Sequence, residues 1–159
     1  MRTEPITDFR GEFEFLSNFH INVFEWRQKQ WFCGEQAFQY AKTFYPKNSM
    51  ERQRCEDLGK RLRDTGNPGV AKKYGRQVPL NVVEWDKNKV QYMREIVHAR
   101  FLTSRRDMVG PLINTGAAML VEGNDWNDTF WGRCNGRGRN VLGAILMEER
   151  GWWSREGKP

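Results

Sequence analysis

VVEWDKNKVQYMREIVHARFL, residues Val82–Leu102, is the longest periodic segment of the chain. Trp85, Lys89, Tyr92–Met93, Ile96–Val97 and Phe101 recur at spacings of three and four, which predicts one long helix. The segments outside it follow in the same way. GEQAFQYAKT predicts a helix over Glu35–Thr43, with Ala37, Phe38 and Ala41 as its apolar stripe and Pro46 as its stop. Ser49 is placed to cap a second helix over Met50–Asp64, which Gly66–Asn67–Pro68 ends. Gly69–Tyr74 reads as a helical turn closed by Gly75. Nearer the start, Phe13 and Phe15 alternate with polar residues and predict a strand within Phe9–Phe19. Val23–Trp26 and Gln30–Cys33 predict a hairpin around Arg27–Lys29. Beyond the long helix, Asp107–Asn114 reads as a helix interrupted at Gly110–Pro111, and Met119–Val121 as a buried strand. Val141–Arg150 reads as a last helix ended by Gly151. Residues 153–159 then read as a frayed tail. No internal repeat, linker or second domain is visible, so the expectation is one domain over residues 1–159.

At 159 residues the chain can bury a hydrophobic core, and seven Trp and ten Phe argue against disorder. The net charge of +6 favours anionic partners, although solubility alone can account for such an excess. The three cysteines, Cys33, Cys55 and Cys134, form no CxxC pair, so reduced thiols in a cytoplasmic setting are expected, with no zinc site. No run of residues approaches membrane-spanning length, and MRTEPITDF lacks an apolar signal core, so no membrane partner is expected.

LVEGNDWNDTFWGRCNGRGRNVLG, Leu120–Gly143, concentrates the chemistry. Glu122, Asp125 and Asp128 can serve as acid, base or cation stabiliser. Trp126 and Trp131 can stack on a ring. Gly132, Gly136 and Gly138 permit close backbone approach, and Arg133, Arg137 and Arg139 can hold an anion. The plainer alternative is a structural loop pinned by aromatics, but two tryptophans in one loop are unusual. GRCNGRGRN lacks the lysine of a P-loop, and GxGxxG is absent, so it reads as an anion-binding turn with Asn140 as a helix cap. Elsewhere, Glu35 and Lys42 lie seven residues apart on one helical stripe, where a ligand can lie across both. On spacing alone a solvated face is the better account, but Phe38, Tyr40 and Phe44 surround the amine with apolar surface. Arg76, after Gly75, is either a phosphate contact or a surface arginine. Trp85 is either core or a stacking platform. His20 and His98 lack metal spacing and read as structural.

Taken in order, FLSNF (Phe15–Phe19), GEQAFQYAK (Gly34–Lys42), YGRQVPL (Tyr74–Leu80), EWDKNKVQYM (Glu84–Met93), LVEGNDWNDTFWG (Leu120–Gly132) and GRNVLGAILMEER (Gly138–Arg150) resemble the NADAR superfamily, specifically its YbiA-like N-glycosidases. The set covers most of the chain. Gln36 departs from it, since many members carry histidine after the glutamate, and Arg133–Asn135 are idiosyncratic. The resemblance implies a mostly helical α+β fold, a single domain with a small β-sheet. It implies cleavage of an N-glycosidic bond to a phosphorylated ribose, as in ribosylaminopyrimidine phosphates early in riboflavin synthesis. Related members remove ADP-ribose from guanine bases, so a modified nucleic acid is the alternative substrate, and a non-catalytic binding module is the third reading. Glu35, Lys42, Trp85 and Asp128 fall on family site positions. Asn18 and Phe19, in the first piece, join Arg76, Trp85, Glu122, Trp131, Gly132, Arg139 and Asn140 as expected substrate contacts. Two routes suit these residues. Glu35 and Asp128 can stabilise an anomeric cation and activate water. Alternatively, a neutral Lys42 attacks the opened sugar to give a Schiff base that water resolves. Neither route calls for a metal or cofactor.

Overall fold

The computed structural model describes residues 2–156, which form two compact units. One comprises Ile21–Arg100. The other joins the segment up to His20 to the segment from Phe101 onward.

The Ile21–Arg100 unit opens with the predicted hairpin, β1 (Phe24–Trp26) paired antiparallel with β2 (Lys29–Trp31) in the register Phe24↔Trp31 and Trp26↔Lys29. Arg27 and Gln28 make its two-residue turn at φ 52° and 61°, the left-handed pair that matches strand twist. Helix α1 (Gly34–Ala41) follows, continued by a 3-10 turn over Lys42–Phe44. Its predicted stripe of Ala37, Phe38 and Ala41 is buried. Helix α2 (Arg52–Asp64) is preceded by a 3-10 turn whose cap is Asn48, not Ser49, because the Asn48 side chain reaches the Glu51 amide. Helix α3 (Pro68–Gly75) has Asn67 accepting from the Gly69 and Val70 amides at 2.9 and 3.1 Å. The predicted long helix is α4 (Val82–Thr103). Gln36 ties α1 to the end of α2: its Oε1 accepts from the Phe32 amide at 2.8 Å, and its Nε2 donates to the carbonyls of Leu62 (2.8 Å), Arg63 (3.2 Å) and Thr65 (2.6 Å).

In the other unit the expected strand at Phe13 and Phe15 is a 3-10 helix over Gly11–Leu16. Gly11 at φ 55° breaks the extended chain, and Leu16, next to the half-buried Phe15, is the fully buried residue of the segment, a pair of neighbours that a strand would send to opposite faces. Helix α5 (Arg105–Asn114) runs through Pro111. Gly110 and Pro111 are exposed, so the Asp107 carbonyl deprived of a donor lies on the solvent side. Met119–Val121 is not a strand; only Leu120 bridges to Ile6. The Glu122–Asn140 loop contains a short parallel pair, β3 (Gly123–Asn124) with β4 (Arg133–Cys134). Helix α6 (Val141–Glu156) passes straight through Gly151. Trp153 explains this: it is buried and its Nε1 donates to Glu149 Oε1 at 2.6 Å, anchoring the last turns. The frayed tail expected from residue 153 is therefore helical to Glu156, and residues 157–159 lie outside the described residues.

Candidate active site

Helix α1 and its 3-10 extension place Glu35, Phe38 and Lys42 in succession. Glu35 is only 7% exposed, and its Oε1 accepts from Gln39 Nε2 at 2.7 Å. Burial pushes the Lys42 amine below the ordinary lysine range. The Glu35 carboxylate opposes that shift, while the positive charges of Lys72, Arg76 and Lys89 add to it. These three basic residues belong to α3, its end and the first turns of α4. Arg76 itself is exposed. Lys89 also pairs with Asp86 at 2.6 Å.

Trp85 is 5% exposed and packs on Phe38 (centroids 5.2 Å apart), on Tyr45 (6.0 Å) and, nearly parallel, on Tyr92 (5.9 Å, 17°). It therefore joins the α1 stripe to an aromatic cluster. The Tyr45 and Tyr92 hydroxyls are hydrogen-bonded at 3.0 Å, and desolvation together with this bond pushes the Tyr45 hydroxyl up to about 12. Cys33 and Cys55 are buried and their thiols are pushed up by burial, which makes them poor nucleophiles.

The loop of the other unit holds Glu122, Asp128, Trp131, Gly132, Arg139 and Asn140 together. Asp128 Oδ1 accepts from the amides of Phe130 (3.1 Å) and Trp131 (2.9 Å), and Asn124 bridges the Asp128 amide and carbonyl. Asn140, at φ 55° and 4% exposed, accepts from the Glu122 amide at 3.0 Å and donates to the Leu120 carbonyl at 2.8 Å. Its side chain thus braces the loop, and the expected helix-capping bond is not what it makes. Gly132 is buried where a Cβ would overlap the Glu122 carbonyl, a packing demand of the loop itself. Trp131 is half-buried edge-on to Phe130 at 4.9 Å, and the Arg139 guanidinium lies 4.8 Å over the Phe130 ring. In the same unit Asn18 is buried and Phe19 is 41% exposed.

Sequence reasoning passed over Gln39 and the pair Lys72 and Lys89. The signal for Gln39 was its place on the Glu35–Lys42 stripe. Among the described residues no group of three or more His, Cys, Asp or Glu side chains is placed to hold a metal ion, and no helix is long and apolar enough to cross a membrane. A groove of about 340 Å³ in the first-and-last-segment unit runs along Arg2–Phe13 and contains none of the expected site residues.

A helical α+β chain with a buried acid and a desolvated amine on one helix finds its class in sequence comparison. The NADAR domain model matches residues 7–152, and the chain belongs to that family. It is 33% identical over 147 residues to N-glycosidase YbiA of Escherichia coli (strain K12), covering 91% of this chain and 82% of the relative. An N-glycosidase of Nostoc punctiforme is 46% identical over 68 residues, 42% of each chain. The NMR structure of the E. coli protein YbiA superposes with a TM-score of 0.77 at 29% identity, covering 99% of this chain and 89% of that one. These relatives make the family one of hydrolases acting on N-glycosyl compounds.

Proposed function

We propose that the protein hydrolyses the N-glycosidic bond of a ribosylaminopyrimidine 5-phosphate, releasing the amine of the base and ribose 5-phosphate. The desolvated Lys42 amine, on one helix with the buried Glu35, carries this reading. A lysine nucleophile must be neutral part of the time, and burial among like charges supplies that. In the ring-opened substrate, Lys42 Nζ adds to C1, and the base leaves as its amine after taking a proton. The resulting iminium between Lys42 and C1 is then hydrolysed by water, which returns the amine and frees the sugar aldehyde. Glu35 moves the protons and steadies the cationic intermediates. Arg76, with Lys72 and Lys89, supplies positive charge for the phosphate.

The two-carboxylate route asks Asp128 for a second working carboxylate, and Asp128 already spends Oδ1 on two loop amides. The Schiff-base route is favoured on that ground. Within the Ile21–Arg100 unit Trp85 is proposed to meet the base or sugar; within the other unit Trp131 is proposed as a stacking platform and Asn18, Phe19, Glu122, Gly132 and Arg139 as substrate contacts, with Asn140 holding the loop. The family match across residues 7–152 supports reading the two units as one functional domain. Three free cysteines suit a cytoplasmic setting.

The test is incubation with a ribosylaminopyrimidine 5-phosphate, mass spectrometry of the products, and borohydride reduction during turnover. Free base, ribose 5-phosphate and a sugar adduct on Lys42 are expected. Turnover without an adduct returns the mechanism to Glu35 and Asp128. No turnover here, with release of ADP-ribose from a guanine-modified oligonucleotide, replaces the substrate; the charge of +6 is the observation that keeps this second reading open.

A further inference from the structure

Gln39 stands four residues after Glu35 and three before Lys42, on the same stripe of α1. It is 6% exposed, and its Nε2 donates to Glu35 Oε1 at 2.7 Å. Its Oε1 is buried without a hydrogen-bond partner among the described residues. That oxygen lies against Gly75 at the end of α3, where any Cβ would overlap it. The amide has one workable orientation: reversed, its carbonyl oxygen would face the Glu35 carboxylate. A buried acceptor without a partner is costly, and a methionine or leucine would fill the space without that cost. What the amide alone supplies is a donor aimed at Glu35, backed by a glycine that leaves it room.

We propose that Gln39 is a positioning residue which, held between Glu35 and the Gly75 backbone, fixes the orientation of the Glu35 carboxylate on the face it shares with Lys42. This rests on reading Glu35 and Lys42 as the working pair. Gln39 touches no reacting atom and acts through Glu35. Gly75 has a matching part, since a side chain there would push the amide off the carboxylate.

The experiment pairs a readout independent of turnover with one that depends on it. The Glu35 carboxyl carbon is followed by 13C NMR through a pH titration in the wild type and in Gln39→Met, which keeps the volume and removes the donor. Glu35→Gln assigns the signal, and melting curves confirm folding. Losing a hydrogen bond to the charged form should raise the Glu35 midpoint by about one pH unit. With a ribosylaminopyrimidine 5-phosphate, kcat should fall about tenfold or more while KM stays within about twofold. If Gln39→Met does not fold, Gly75→Ala takes its place, and the same upward shift is expected. An unmoved midpoint in a folded variant overturns the proposal, whatever the activity. A shifted midpoint in a wild type that cleaves no N-glycoside supports the positioning role and overturns only the substrate reading.

Discussion

Lys42 sits under opposed demands. Its amine has to lose a proton to act, and burial that makes this possible also makes the charged form costly at neutral pH. The sign follows from proton binding. With its folded value lowered, the native state binds fewer protons than the unfolded chain, so stability rises with pH between that lowered value and the ordinary lysine value near ~10.4. Lys42→Met should therefore melt about 2–4 °C above the wild type at pH 7, and the gap should close as pH approaches ~10. Differential scanning calorimetry across that range checks it; a gap independent of pH would mean that packing, not charge, sets the difference. Lys42→Arg, which cannot be neutral, should fold and lose nearly all turnover. Asn140 belongs to this scale too. Asn140→Ala strands the Glu122 amide and the Leu120 carbonyl and puts alanine at a positive φ, a cost of about 2–4 kcal/mol in chemical denaturation. That Asn140 is a brace was not legible in the sequence, because its two partners lie 18 and 20 residues away.

The elements carry the residues by short polar ties and close backbone contacts. Gln36 holds the start of α1 to the end of α2 through three bonds, to the carbonyls of Leu62, Arg63 and Thr65, while its Oε1 accepts from the Phe32 amide just before α1. Asn67→Ala removes the α3 cap and should cost about 1 kcal/mol by urea denaturation. Gly143 in the first turn of α6 has no room for a Cβ, which would overlap the Leu120 carbonyl. Gly143→Ala should therefore destabilise despite alanine's helix preference of about 1 kcal/mol, and an increase in Tm would show that the Leu120 backbone yields. Helices with apolar periodicity were legible: α1 and α4 stand where their stripes predict, and α2 ends before Gly66–Asn67–Pro68 as its stop signal predicts. The short hairpin was legible too, but the segments at Phe13–Phe15 and Met119–Val121 were not. A few half-buried aromatics fit a strand and a 3-10 turn equally well until Gly11 and Leu16 are placed.

At the scale of the whole molecule, the net charge of +6 separates substrate classes. If the substrate is a small phosphorylated riboside, KM should change only modestly between 50 and 200 mM salt, whereas a nucleic-acid substrate should bind orders of magnitude more weakly at the higher value. Steady-state kinetics and oligonucleotide titration at both concentrations decide this. Periodicity by itself gave the helices and put Glu35 and Lys42 on one stripe, and the ordered motifs carried the resemblance to the NADAR family that implies its mostly helical α+β fold, because these depend on residues close in sequence. Only tertiary structure decided that Lys42 is desolvated, that Trp85 is built into an aromatic cluster, that Asp128 and Asn140 are committed to loop amides and that Gln39 bears on Glu35 over Gly75. Burial, and the supply of partners to a polar side chain, are set by segments far apart in the chain, and no local pattern encodes which of them will meet.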